Sequence, residues 1–316
     1  EIGQVVYPTQ VVDLYSTIFQ RYLDINAIRL SNSKVVIDYA YAVSGAILPQ
    51  LLAKFGCDAV VLNASLSQSA PSVADRAVLL DQLGHVVEAL KASFGVQVSG
   101  NGEQLVLVDE SGSPIRGEQL TALIIHILLT EQPRSTVVVP VNASSAVEQI
   151  ARRHDSRVVR TKANPTALME ACHSNMNVVI GGSGDNGFIF PQLHPGFDAM
   201  YCIAKLMETL TRQERSLGQI RAELPRVCHR ALTVRCPWTV KGALMRRLVE
   251  THPADSLDLT DGVKILNPQQ PDSWILILPD AGEPLREYRS YVQEFVNHEM
   301  GLDEVESGPQ IESVML

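Results

Sequence analysis

The sequence contains 316 residues with a formal net charge of −9, and 46% of its residues are hydrophobic and 19% charged. This length predicts two or three domains, and the composition is typical of a globular protein. The acidic balance argues against nucleic acid and anionic membrane as partners, and no apolar run approaches the length of a membrane span. The five cysteines are scattered without a Cys-x-x-Cys pair, so we expect a cytoplasmic protein without disulfides or structural zinc.

The first third of the chain predicts a β-α-β unit followed by a hairpin. In chain order we expect a helix over 11–30, strand Lys34–Asp38, a helix over 47–55, a strand over 59–62 and a helix over 72–93. Ser72 is suited to be the N-cap of the last helix. Asn101-Gly102 lies between two apolar runs, which predicts a tight turn.

The alternation of helix and strand restarts after Pro114 and changes after Pro225. Between these prolines we expect helices over 118–129, 146–153, 165–172 and 197–211, strands over 136–140, 157–159 and 177–180, and a short helix from Ser216. Beyond Pro225 we expect strands over 231–236, 262–266 and 274–278, a helix over 241–250, and a frayed acidic end over 300–316.

The expected fold class is therefore α/β. Two α/β/α three-layer sandwich domains, residues 1–115 and 116–225, precede a smaller α+β domain, residues 226–316. The chain opens on Glu1 rather than Met, and we expect it to be part of a longer protein.

Gly182–Gly187 fits the pattern G-x-G-x-x-G and follows a predicted strand. A dinucleotide site also needs a helix that begins at the last glycine, because the helix N-terminus holds the pyrophosphate. Here Phe188-Ile189-Phe190-Pro191 follows, which is typical of a strand. A glycine-rich connection between two strands is the favoured interpretation.

Two other loops lack the side chains that a ligand would need. Ser99–Gln104 contains a single carboxylate, Glu103, whereas Mg²⁺ or Ca²⁺ needs several anionic oxygens. Pro279–Pro284 contains Asp280 and Glu283, which would repel a phosphate group, and Arg286 just beyond it is more simply a solvated surface residue. No zinc-protease, nucleophile-elbow or P-loop motif is present.

These three loops, taken in order, resemble those of domains two to four of the α-D-phosphohexomutases, the phosphomannomutases and phosphoglucomutases. Several short stretches carry the resemblance together: Lys34–Asp38 with Gly45 and Gly56-Cys57, Phe190-Pro191 with Pro195-Gly196 and Asp198, Ser216-Leu217 with Leu224-Pro225, Asp261–Val263, and Glu283-Pro284. The resemblance covers nearly the whole chain and implies the fold described above.

The functional loops depart from the family pattern. The metal loop, D-G-D-G-D-R in the family, is replaced by Ser99-Gly100-Asn101-Gly102-Glu103-Gln104, so the aspartates at 99 and 101 are missing. The sugar loop, G-E-x-S-G-H, corresponds to Gly182–Gly187, with Ser183, Asp185 and Asn186 in place of the family's functional side chains. The phosphate loop, R-P-S-G-T-E-P, becomes a segment whose notable members are Asp280, Gly282, Glu283 and the nearby Arg286.

Phosphoryl transfer depends on stabilisation of an anionic transition state by metal ions and cationic side chains. We therefore expect no catalytic residue and no cofactor in this chain, although the family uses Mg²⁺. The resemblance extends to the C-terminal region of long bacterial mannose-1-phosphate guanylyltransferase-like proteins, which implies a structural or regulatory appendage of a sugar-nucleotide enzyme. The expected partners are then upstream domains of the same chain and further copies in a homo-oligomer.

Two alternatives stay open. One is an active phosphomannomutase or phosphoglucomutase with altered loops. The other is a module that binds a sugar phosphate through main-chain amides and Arg286 without converting it.

Overall fold

The structure, a computed structural model, describes residues 10–30, 33–65, 71–235, 238–279 and 287–295. These residues form two compact units. The first unit comprises the described residues within 1–143 and 147–224, and the second comprises those within 144–146 and 225–316.

The first unit contains two separate sheets, each flanked by helices. The strands of the first sheet are β1 (Lys34–Asp38), β2 (Asp58–Leu62), β3 (Phe94–Val98), β4 (Leu105–Val108) and β5 (Pro114–Ile115), in the order β2-β1-β3-β4-β5. β2, β1 and β3 are parallel, whereas β4 and β5 add antiparallel. The accompanying helices are α1 (Val11–Arg21), α2 (Ile25–Leu30), α3 (Leu48–Phe55) and α4 (Val73–Leu90). Central strand β1 is almost wholly buried, as its apolar run predicts.

The predicted helix over 11–30 is wrong in one respect, because it is two helices. α1 ends at Arg21, and α2 begins at Ile25. Asp24 lies between them, and its Oδ1 accepts the backbone N–H groups of Asn26 and Ala27, each at 3.1 Å. An aspartate in this position caps a new helix start and so favours a break in the preceding one.

The N-cap predicted at Ser72 is confirmed. Its hydroxyl accepts the backbone N–H of Asp75, and the Asp75 carboxylate accepts the backbone N–H of Ser72 at 3.0 Å. This reciprocal arrangement is a capping box. It fixes the start of α4, the helix that lies against β1 and β3.

The second sheet comprises β6 (Thr136–Pro140), β7 (Arg157–Thr161), β8 (Val178–Ser183) and β9 (Gly187–Ile189), in the order β7-β6-β8-β9. Its helices are α5 (Gly117–Glu131), α6 (Ala146–Arg153), α7 (Pro165–Ser174), α8 (Ala199–Gln213) and α9 (Leu217–Ala222). α5 is buried on every side from Leu120 to Leu129, because it packs against both β8 and α8. A helix buried on all faces has no amphipathic stripe, which explains its nearly uniform apolar sequence.

The second unit is a five-stranded antiparallel sheet with one long helix. Its elements are β10 (Val227–Arg235), α10 (Trp238–Thr251), β11 (Leu257–Asp258), β12 (Val263–Asn267), β13 (Gln270–Pro279) and β14 (Glu287–Phe295), with strand order β10-β14-β13-β12-β11. β14 was not predicted from the sequence, because its nine residues contain no apolar run. It nevertheless pairs with β10 on one side and β13 on the other.

The predicted fold class is confirmed: two α/β sheets flanked by helices are followed by a smaller domain with its own sheet. Among the helices that the structure describes, none combines the length and apolar character needed to cross a bilayer.

Candidate functional site

The hairpin Ser99–Gln104 connects β3 to β4 at the carboxyl ends of the parallel strands β1 and β3. The backbone N–H of Ser99 donates to the carbonyl of Gln104 at 2.9 Å, and that of Gly102 donates to the carbonyl of Ser99 at 3.0 Å. Gly102 has a φ of +74°, which is why a glycine is needed there. The turn predicted from Asn101-Gly102 is confirmed, although Asn101 itself keeps a negative φ.

The side chains of this hairpin are bonded to one another. The Ser99 hydroxyl donates to Asn101 Oδ1 at 2.7 Å, and the amide Nδ2 of Asn101 donates to Glu103 Oε2 at 2.5 Å. Asn101 Oδ1 also accepts the backbone N–H of Glu103 at 3.3 Å. The amide of Asn101 therefore stands at the centre of the loop and holds the one carboxylate in place.

This donor set does not fit Mg²⁺. A magnesium ion requires near-octahedral oxygen ligands, usually including carboxylates, whereas here an amide N–H faces the carboxylate of Glu103. Both donors that reach Asn101 Oδ1 also compete with any cation for that oxygen. Across the described residues, no group of three His, Cys, Asp or Glu side chains is arranged to hold a metal ion.

The glycine-rich loop Gly182–Gly187 joins β8 to β9, which pair antiparallel with Ser183 opposite Gly187. No helix begins at its last glycine, so the favoured interpretation of a connection between two strands is confirmed. The loop is tied to α5, because the backbone N–H of Gly184 donates to the hydroxyl of Thr121 at 2.8 Å.

The structure brings this loop and the hairpin together, although about 80 residues separate them in sequence. The side-chain amide Nε2 of Gln104 donates to the backbone carbonyl of Asp185 at 2.8 Å. Gly187 lies so close to the carbonyl oxygen of Glu103 that an added Cβ would be only 2.3 Å from it. The carbonyl of Gly102 accepts the backbone N–H of Ala199, at the start of α8, at 3.0 Å.

The residues that the resemblance singled out differ in accessibility. Asn101, Glu103 and Asp185 are exposed, whereas Ser99 and Asn186 are half-buried. Ser183 is 3% exposed and lies at the end of β8, paired with Gly187. The third loop, with Asp280, Gly282, Glu283 and Arg286, lies outside the described residues.

Asp198 connects α1 to the start of α8 beside these loops. Its Oδ1 accepts the backbone N–H of Tyr201 at 2.8 Å, and its Oδ2 accepts the Tyr15 hydroxyl at 2.8 Å. The same Oδ2 contacts Nε2 of His194 at 3.2 Å, while Nδ1 of His194 accepts the backbone N–H of Gly196. Burial, reinforced by the Asp198 carboxylate, raises the pKa of Tyr15 far above its ordinary value, so Tyr15 remains a hydrogen-bond donor.

A buried polar group under the hairpin was missed by the sequence analysis. Asp38 is wholly buried at the end of β1. Its Oδ1 accepts the backbone N–H of Ala40 and the Nδ2 of Asn63, both at 2.9 Å, and its Oδ2 accepts the Nε2 of Gln97 at 3.0 Å. A signal existed, because Asp38 and Gln97 are polar residues near the carboxyl ends of largely apolar parallel strands, and ligands of α/β sheets bind at the carboxyl ends of such strands.

Comparison with known protein families identifies the two sheets of the first unit. Residues 13–112 match the phosphoglucomutase/phosphomannomutase alpha/beta/alpha domain II, and residues 116–228 match domain III of the same family. Together these matches cover more than half of the chain. The two domains belong to the phosphoglucomutase/phosphomannomutase family.

Curated relatives extend the similarity. A protein named phosphoglucomutase/phosphomannomutase from Thermococcus kodakarensis is 28% identical over 289 residues, covering 90% of this chain and 62% of that protein. A probable phosphoglucosamine mutase from Methanopyrus kandleri is 29% identical over 290 residues, again covering 90% of this chain and 62% of the relative. This chain thus spans about three fifths of the length of these relatives.

Solved structures agree with the fold. A phosphoglucomutase/phosphomannomutase family protein from Burkholderia thailandensis superimposes with a TM-score of 0.75 at 19% identity, over 94% of this chain and 62% of the other. A phosphomannomutase-like structure from Thermus thermophilus gives a TM-score of 0.70 at 15% identity, over 90% of this chain and 62% of that one. At these identities the likeness concerns the fold alone.

Proposed function

We propose that the protein containing this chain acts on hexose phosphates. The observation that carries this proposal is the contact between the two family loops, through the Gln104 amide and the Asp185 carbonyl and between Gly187 and Glu103. Loops at the carboxyl ends of strands from two α/β sheets form a surface of the kind on which small ligands bind. The names of the relatives supply the class of substrate.

Within that class, we propose that this chain does not itself transfer a phosphoryl group. The hairpin gives no set of anionic oxygens for Mg²⁺, because Asn101 occupies its centre and bonds to Glu103. Without a metal ion in that position, the main source of positive charge that offsets a phosphoryl-transfer transition state in this family is missing. The chain would then serve as a structural or regulatory region of a hexose-phosphate or sugar-nucleotide enzyme, such as a mannose-1-phosphate guanylyltransferase.

The second candidate is mutase activity. It is favoured by the relatives, which carry the names phosphoglucomutase/phosphomannomutase and phosphoglucosamine mutase and match 90% of this chain. In this case other residues would supply the cation that the hairpin lacks.

A metal titration of the full-length protein and a designed variant separates the candidates. Ser99→Asp combined with Asn101→Asp places three carboxylates at alternate positions with the existing Glu103. We expect no saturable calorimetric signal at the hairpin for millimolar Mg²⁺ in the wild type and a saturable one in the double variant. The variant serves as the matched control, because it shows that the loop could hold the metal if it had the ligands.

The activity assay uses the same protein. Interconversion of hexose 6-phosphate and hexose 1-phosphate would be measured for mannose, glucose and glucosamine, with Mg²⁺ and with chelator. Metal-dependent turnover that is lost when this chain is deleted would refute the proposal that the chain transfers no phosphoryl group, and it would support mutase activity. Absence of turnover, together with a changed oligomer or nucleotidyltransferase rate after deletion, would support the appendage role, for which an interdomain surface of roughly 600–1,500 Å² would suffice.

A further inference from the structure

Arg76 lies beside the hairpin and is held there by its backbone. It belongs to α4, and its carbonyl accepts the side-chain amide Nε2 of Gln97 at 3.3 Å. Its guanidinium reaches the turn, since a Cβ built on Gly100 would be 3.8 Å from Nη2 of Arg76. The strand that leads into the hairpin thus positions this arginine.

The guanidinium of Arg76 has no protein partner among the described residues. Its Nε is buried without a hydrogen-bond acceptor, and no carboxylate of the described chain forms an ion pair with it. Asp38 does not fill this role, because its oxygens accept from Ala40, Asn63 and Gln97. A buried, unpaired donor on a cation is costly, and an anion that supplied acceptor oxygens would remove that cost.

Ser44 gives a second, independent observation at the same hairpin. It is 4% exposed, and its hydroxyl oxygen is buried without a hydrogen-bond partner. Its Cβ lies 3.7 Å from the position that a Cβ on Gly102 would take. Two unsatisfied donors, one cationic and one neutral, therefore lie against glycines two positions apart in one loop.

We propose that Arg76 and Ser44 form a binding site for the phosphate group of a phosphomonoester beside the hairpin Ser99–Gln104. A guanidinium fork and a hydroxyl are typical ligands of phosphate oxygens. The glycines at 100 and 102 place no side chain between these donors and the loop. The neighbouring acids are engaged: Asp75 caps α4, and Glu103 accepts from Asn101. The positive charge at this loop then comes from an arginine rather than from a metal ion. The identity of the ester as a hexose phosphate rests on the proposed function.

The test is phosphate binding by the full-length protein and its variants. Inorganic phosphate, glucose 6-phosphate and glucose would be titrated calorimetrically, and hydrogen–deuterium exchange of peptides covering Ser99–Gln104 would locate the effect. We expect Arg76→Gln to weaken both phosphate ligands roughly tenfold or more and to abolish their protection of the hairpin. Ser44→Ala should weaken them severalfold, and glucose should give no protection.

Two further variants control for folding and for charge. Arg157→Gln removes an exposed arginine of β7 and should leave phosphate affinity unchanged. Arg76→Lys keeps the charge without the fork and should retain part of the affinity, so that a folding defect in Arg76→Gln cannot imitate the result.

The outcomes distinguish this site from the proposed function. If glucose 6-phosphate binds equally well to the wild type and to Arg76→Gln, the Arg76 site is refuted while hexose-phosphate recognition stands. If Ser44→Ala binds like the wild type, the two-residue site is refuted. If the wild type binds neither phosphate ligand, both proposals fail.

Discussion

The contact between the two family loops can be tested by adding a single methyl group at Gly187. This residue has a φ of +96°, and a Cβ there would lie 2.3 Å from the carbonyl oxygen of Glu103. A left-handed backbone costs an alanine about 1–2 kcal/mol. The clash is with backbone that cannot rotate away, so Gly187→Ala must also separate the loops. We expect a total loss of about 3–5 kcal/mol in the free energy of unfolding of the first unit.

Two glycines of the hairpin supply matched controls. Gly102 has a φ of +74° but only an ordinary 3.7 Å contact, so Gly102→Ala should cost about 1–2 kcal/mol from backbone strain alone. Gly100 has a negative φ, and a Cβ added there would meet nothing closer than Nη2 of Arg76 at 3.8 Å, so Gly100→Ala should change stability by about 0.5 kcal/mol or less. The expected order of destabilisation is Gly187, then Gly102, then Gly100.

Thermal unfolding followed by far-ultraviolet circular dichroism measures these differences. For a unit of this size, 1 kcal/mol shifts the Tm by about 2–4 °C, so Gly187→Ala should lower it by roughly 6–12 °C or more. Both tryptophans of the chain, Trp238 and Trp274, belong to the second unit, and their fluorescence transition should not move. Equal Tm values for the Gly187 and Gly100 variants would refute the close packing of the two loops.

Three further predictions concern the first unit. The imidazoles of His126 and His154 contact each other at 3.3 Å. Burial lowers the pKa of both below 6.5, and the nearby charge of Arg153 lowers it further. Glu223 opposes this shift at His126. The unfolded chain therefore binds protons more readily, and the free energy of unfolding should fall as the pH drops below about 6.5. His154→Gln should reduce this pH dependence when urea unfolding is compared at pH 7.5 and 5.5. An unchanged pH dependence would show that the histidine pair does not cause it. Asp109→Asn should cost about 1–3 kcal/mol in urea unfolding, because the buried Asp109 carboxylate pairs with Arg221 at 2.9 Å, whereas the exposed Asp81→Asn should cost almost nothing. Ser72→Ala should lose about 1 kcal/mol and increase amide exchange in the first turn of α4, and exchange identical to the wild type would argue against the capping box.

The elements of the first unit followed from periodicity because their environments are regular. β1 and β6 are short apolar runs that become buried parallel strands, and α6 was predicted with its observed bounds, Ala146–Arg153. The failures have local causes. The single predicted helix over 11–30 is interrupted because the Asp24 carboxylate caps a new start, an interaction that apolar spacing does not record. β14 is held between two partner strands, and pairing of that kind is a tertiary property.

The candidate site was less predictable than the fold. The turn at Ser99–Gln104 could be placed from its glycines, and the sequence shows directly that Glu103 is its single carboxylate. Its approach to Gly182–Gly187 could not, because the contact passes through a Gln104 amide and a backbone carbonyl rather than through a recognisable motif. The position of Arg76 beside the hairpin could not be predicted from the sequence either. An arginine in the first turns of an amphipathic helix is usually solvated, and only the structure shows its Nε buried without a partner.

The geometry of the two loops rests partly on their backbone. Four backbone hydrogen bonds help to shape the two loops: Ser99 to Gln104, Gly102 to Ser99, Ala199 to Gly102, and Asn186 to Ser183. The glycines at 102 and 187 adopt positive φ and allow the close approach. None of these four bonds requires a metal-binding or phosphate-binding side chain, so we expect substitutions at 99, 101, 103 and 185 to change the chemistry of the surface more than the fold. Membership of the family, which rests on sheets and turns, therefore does not decide whether phosphoryl transfer occurs here. The charge that the site presents to a ligand would decide it, and among the described residues the cation without an acceptor beside the hairpin is Arg76.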